Sequence, residues 1–208
     1  MTHKRSNQLC IVPVSDLAST VQFALSGARY HLRKTLSIFD SPALQRRYDD
    51  DLHLSESQRV ERATEVNRFL WHLRAYFWEL TAVFDHLLQW ACQTHELRAK
   101  DLPIAEHEVT WSKLKDAEAH RHVEQWEREQ DQLGKAYCSG WFFEVRQYRN
   151  LAHRDTIFME WEYDELRNLN PDAAFLPAAR EGQAYVPLRQ HLTSYLARMR
   201  SVVTDILG

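Results

Sequence analysis

The sequence predicts a mostly α protein, a four- or five-helix bundle with a small β insert before the C-terminal helix. Three observations carry this expectation. The 208 residues include only five glycines and six prolines, about half the usual share. Tight turns are therefore few, and collagen-like, all-β and Gly-rich linker architectures are excluded. Apolar residues recur at steps of three and four through long stretches free of Gly and Pro. Seven tryptophans and an aromatic content of 12% supply a bulky core. The length fits a single domain over 1–208, with an N-terminal arm over 1–14 and a β-like insert over 156–186.

The elements follow in order. Val12-Pro13-Val14 closes the arm, and Ser15 or Asp16 caps a helix to about Ile38. Its apolar positions run Leu17, Val21, Ala24, Leu25, Ala28, Leu32 and Leu36. Ser41-Pro42 breaks it. The longest segment, roughly 57 to 97, starts at Ser55 or Ser57 and contains no Gly or Pro. Its apolar stripe from Val66 to Ala91 is broad, as expected of a central helix buried on several sides, or of one that also serves an oligomer interface. Trp71 and Trp78 lie away from the stripe's centre; the core is the expected place for them, with a dimer interface as the alternative. A loop over 100–111 precedes a polar helical run over 112–133, expected to be mostly solvated and ended by Gly134. Ser139 caps a helix from Gly140 to about Arg154. Thr156 to Tyr163 has strand character. Asn168 to Asp172 reads as a turn, with partner strands at 174–176 and 184–186. Pro187 suits the first turn of a last helix over 187–207.

Charge and motifs narrow the function classes. The net charge of −3 does not fit a general nucleic-acid coat, which needs many clustered cations, but leaves room for a local basic site. Cys10, Cys92 and Cys138 form no C-x-x-C pair, and an odd count argues against a disulfide framework. Cys92 and Cys138 read as buried thiols. With no apolar signal core after Met1 and no run near 18 apolar residues, the setting expected is reducing and cytoplasmic, with no membrane. No phosphate-cradling glycine loop is present, so no nucleotide cofactor is indicated. Glu65, His72, Glu79 and His86 form a stripe, but seven residues rise about 10 Å, too far for two of them to share a metal. They read as a polar seam. Glu118 and His122 read as part of a solvated face. With no Glu-x-x-His in the chain, neither a metal site nor a cofactor is expected.

The informative stretch is Trp141 to Arg154. At about 100° per residue, Trp141, Val145, Tyr148 and Ala152 share the core face. Arg146, Arg149, Asn150 and His153 share the opposite arc at steps of three, four and seven. Such an arc is also what the solvated side of any amphipathic helix looks like. Phe142 falls on the same arc, which suggests that a second subunit covers part of it.

An Arg, an Arg-Asn pair and a following His near the end of a late helix resemble the HEPN superfamily, whose signature is an Arg, four to six residues, then His. Arg146 and His153 are separated by six residues. Arg149-Asn150 supplies the Arg-polar pair, with three residues before His153. Both arginines therefore stand as candidates for the motif arginine. The resemblance implies a helical bundle that forms a homodimer, with the Arg and His of two chains lining a shared cleft. It implies a metal-independent endoribonuclease or an RNA-binding domain, of the kind found in toxin–antitoxin and defence systems, with RNA as substrate and an antitoxin as partner. His153 would be the acid/base, Arg146 and Arg149 the phosphate clamps, and Asn150 and Arg154 their supports.

The chemistry agrees with those residue types. RNA cleavage by the 2′-hydroxyl needs a base and an acid, and histidine serves as either near neutrality. Arginine's planar fork suits the charge developing on phosphoryl oxygens. Two alternatives compete. One is a non-catalytic homodimeric interaction module on the same bundle. The other is a metal-dependent helical-bundle enzyme with ligands from separate helices.

Overall fold

The computed structural model describes residues 14–44, 53–154, 160–163, 169–176 and 186–208. Helix α1 runs Val14–Phe39 and α2 Glu56–Thr94. Strands β1 (Arg98–Ala99) and β2 (Leu102–Pro103) precede a 3-10 turn over Glu106–Glu108. Then come α3 (Trp111–Leu114), α4 (Val123–Cys138) and α5 (Gly140–Arg154). Strands β3 (Glu160–Tyr163), β4 (Leu169–Leu176) and β5 (Val186–Pro187) form an antiparallel sheet in the order β3-β4-β5, and α6 covers Leu188–Leu207. The expected fold class is what is found: among the described residues there are five long helices and one single-turn helix, with a small sheet before the last helix.

Helix α2 is central because its sequence offers apolar surface on three sides. Its N-terminus is fixed by a capping box: Ser55 Oγ accepts from Gln58 N, and Gln58 Oε1 accepts from Ser55 N. Helix α1 lies antiparallel along it. Phe39 meets Phe69, His31 meets His72, and Gly27 meets Glu79, so α1 rises as α2 descends. A Cβ at Gly27 would stand 2.8 Å from the Glu79 carboxyl carbon, so a side chain there would make that carboxyl swing aside. Helix α5 packs on a second side through Phe84 against Phe142 and Phe77 stacked on Tyr148. Helix α6 closes a third, where Tyr76 Oη donates to the Leu192 carbonyl at 2.5 Å. All five long helices contribute to one hydrophobic cluster.

The structure corrects several boundaries. Helix α2 ends at Thr94, not near 97. Leu97 N reaches Cys92 O and Glu96 N reaches Gln93 O, a Schellman closure with Glu96 left-handed at φ 48°. Leu97 is buried beneath it. The run 112–133 is not one helix. After α3 the chain straightens, and Arg98 and Glu118 exchange both backbone hydrogen bonds. The His95 carbonyl then accepts from His120 N and Arg121 N. Helix α4 begins only after His122 and continues through Gly134. Gly134 is not a stop: a Cβ there would lie 3.0 Å from the Trp111 ring, so glycine serves close packing. Nor is this run mostly solvated, since Trp126, Glu129, Leu133 and Ala136 are buried. Helix α1 starts at Val14, ahead of the expected caps. Strand β4 begins at Leu169, inside the expected turn 168–172. Helix α6 starts one residue after Pro187. The arm over 1–13, the segment 45–52 and parts of the insert lie outside the described residues.

Candidate functional site

Helix α5 places the expected site residues in three different environments. Arg146 is half-buried, with its guanidinium 4.0 Å from the Tyr137 ring centre. One of its nitrogens donates to the Tyr137 carbonyl at 3.4 Å. Phe142, on the same arc, is buried within this chain against Phe84, Tyr137 and Trp141. No second subunit is needed to cover it, which corrects the expectation drawn from its position. Arg146 thus caps an aromatic cluster. Arg149 is half-buried one turn further on, 4.7 Å above the Trp78 ring of α2. Asn150 is exposed, and its Oδ1 lies 3.5 Å from an Arg149 nitrogen. The Nε atoms of both arginines are buried without a hydrogen-bond partner among the described residues. His153 and Arg154 occupy the last turn of α5, and their side chains lie outside the described residues.

The arc continues onto α2 and α1, and sequence reasoning missed this. Trp71 and Trp78 are not core residues: they are 60% and 42% exposed. They stand two turns apart on the outer side of α2, about 10 Å along its axis, with exposed Arg74 between them. On α1, Tyr30 is 45% exposed with Lys34 Nζ 5.9 Å from its ring centre. Phe23, one heptad earlier, is 78% exposed. Asp85 lies near Arg149 and His86. Desolvation raises its carboxyl above the usual range, and Arg149 and His86 pull the other way. The available signal was the angular position of Trp71 and Trp78, well off the α2 stripe.

Beneath Tyr30 and Trp71 lie two histidines. His31 Nδ1 is 2.9 Å from His72 Nδ1, so one donates and the other accepts. Desolvation lowers both from the ordinary histidine value, and at His72 the charges of His31, Lys34 and Arg68 add to it. At these two histidines the unfolded chain therefore binds more protons than the folded one below about pH 6.5, and their contribution to stability falls as pH drops through that range. Thermal unfolding followed from about pH 7.5 to pH 5 is expected to show this loss. A His31→Leu/His72→Leu variant is expected to show a flatter profile. An unchanged slope in the variant would mean that the loss arises elsewhere.

No family model, curated protein or solved structure matches the chain. The site stands on its own geometry. Among the described residues no group of three or more His, Cys, Asp or Glu side chains is placed to hold a metal ion. Glu118 and His122 do not share a helix. The seam of Glu65, His72, Glu79 and His86 faces α1 at His72 and Glu79. Cys92 is buried, and burial pushes its thiol up to about 11. Cys138 is exposed, contrary to expectation. Among the described residues no helix is long and apolar enough to cross a membrane.

Proposed function

We propose that the chain is an RNA-binding protein of HEPN-like type, contacting single strands through the outer face formed by α1, α2 and α5. The observation that supports this most is the interleaving of exposed rings with cations. Arg149 lies over Trp78 and Lys34 beside Tyr30, with Arg74 between the two tryptophans. Bases stack on aromatic faces whatever their identity, and cations beside them take the phosphates. Such a local site is compatible with an overall charge of −3, because only the face in contact needs to be basic. The geometry favours Arg149 over Arg146 as the phosphate-contacting arginine. Arg146 is already engaged with the Tyr137 ring and carbonyl.

The same face would also cleave the RNA it binds. His153 follows Arg149 by one turn and would serve as acid or base. Purified protein is expected to cut single-stranded RNA in the presence of EDTA. His153→Ala is expected to lower the rate by about a hundredfold or more. Equal cleavage by that variant would remove His153 from the mechanism. RNA binding without cleavage by the parent would leave a binding protein rather than a nuclease.

A homodimer through the same helices is a second reading, favoured by Phe23, the most exposed large apolar side chain described. A second copy docked on Phe23, Tyr30 and Trp71 would hide the proposed stacking rings. The molar mass in solution, with and without RNA, separates the two. A dimer that dissociates in Phe23→Ser and still excludes RNA would favour the interaction module.

A further inference from the structure

On the other flank of α5, a groove of about 390 Å³ runs between the start of that helix and the first half of α6. Trp141 and Glu144 line it from α5; His191, Ser194, Tyr195 and Arg198 line it from α6. Spacings of three, four and seven place the α6 residues on one side of the helix. Tyr195 is buried, and its Oη donates to Glu144 Oε2 at 2.7 Å. A phenol has a single proton, so the same oxygen can only accept from His191 Nδ1, 3.3 Å away. His191 therefore carries its hydrogen on Nδ1 and its lone pair on Nε2. Burial raises the Tyr195 phenol far above its ordinary range, and its bond to Glu144 adds to this. The phenol proton stays in place and the tautomer is locked. A carboxylate orients a phenol, and the phenol orients an imidazole whose second nitrogen is a hydrogen-bond acceptor.

We propose that this groove binds a hydroxyl-bearing phosphate ester. A ligand hydroxyl donates to His191 Nε2, the Arg198 guanidinium takes the phosphate, and the Trp141 ring forms the wall. This site is separate from the RNA-binding face, since Glu144 points toward α6 and Arg149 toward α2. It does not depend on that reading.

The test is a nitrogen-15 NMR titration of the full chain with ribose 5-phosphate, adenosine 5′-monophosphate and inorganic phosphate. The free protein is expected to show His191 as the Nδ1–H tautomer, and Tyr195→Phe is expected to lose that preference. Either ester is expected to shift the Nε2 resonance. Arg198→Ala, an exposed position, is expected to weaken binding about tenfold or more. Trp78→Ala is expected to leave it unchanged. Tighter binding of the nucleotide, lost in Trp141→Ala, would assign the wall to a base. Equal binding of both esters would assign the site to sugar phosphates. The proposal is overturned if His191 carries its proton on Nε2, or if neither ester moves it at about 10 mM. It is also overturned if Arg198→Ala binds as tightly as the parent, or if inorganic phosphate binds as well as the esters while His191 stays unperturbed.

Discussion

Replacing Glu129 by alanine is expected to destabilise the fold by about 3–5 kcal/mol. Glu129 and His95 are 4% and 0% exposed, and their Oε2 and Nε2 atoms are 2.7 Å apart. The other carboxylate oxygen accepts from Gln125 at 2.7 Å. His95 terminates α2, and its carbonyl holds the backbone of His120 and Arg121. Its ring is packed among Trp90, His122 and Trp126. Its Nδ1 already lacks a partner among the described residues. Removing the carboxylate leaves a buried imidazole with nothing to bond to, and the cost of that desolvation is not recovered. For a chain of this size the melting temperature is expected to fall by roughly 6 to 20 °C. The double variant His95→Phe/Glu129→Leu removes both polar partners and is expected to lie much closer to the parent. A fall below about 2 °C in Glu129→Ala would show that water reaches the pair.

The second large effect concerns RNA. Trp78→Ala is expected to reduce affinity for a single-stranded oligonucleotide about 5- to 150-fold, the range of one base stacked on an aromatic ring. Trp71→Ala is expected to act similarly. Neither removes a core residue, so the melting temperature is expected to move little. Arg149→Ala is expected to weaken binding and to lower the slope of log affinity against log salt by about 0.7, one phosphate contact on a single strand. A loss of affinity with an unchanged salt slope would mean that Arg149 acts only by holding Trp78 in place.

The bundle is legible in the sequence because its signals are local and long. The run without Gly or Pro from Ser55 onward leaves little but a helix, and the strand character of Thr156 to Tyr163 stands out after it. The interruption over 115–122 is not legible, because what straightens the chain is a pairing with Arg98, distant in sequence. Gly134 misleads for a related reason: its missing Cβ makes room for Trp111, not for a turn. The α5 arc is half legible. Its angular grouping is right, but helical phase does not say that α2 and α4 close over Phe142 and Arg146 while leaving Arg149 at an edge. Likewise, the off-stripe position of Trp71 and Trp78 marks them as unusual without saying that they face solvent. The Glu144–Tyr195–His191 chain spans two helices joined through the insert, and nothing in either helix alone announces it.

Single-stranded RNA is proposed to lie on the outer face of α1, α2 and α5. Incorporation of fluorinated tryptophan, with each resonance assigned by single substitution, tests it directly during titration with a single-stranded oligonucleotide. The Trp71 and Trp78 resonances are expected to shift together, while that of buried Trp126 stays in place. Saturating RNA binding with both resonances unmoved would place the RNA elsewhere on the protein.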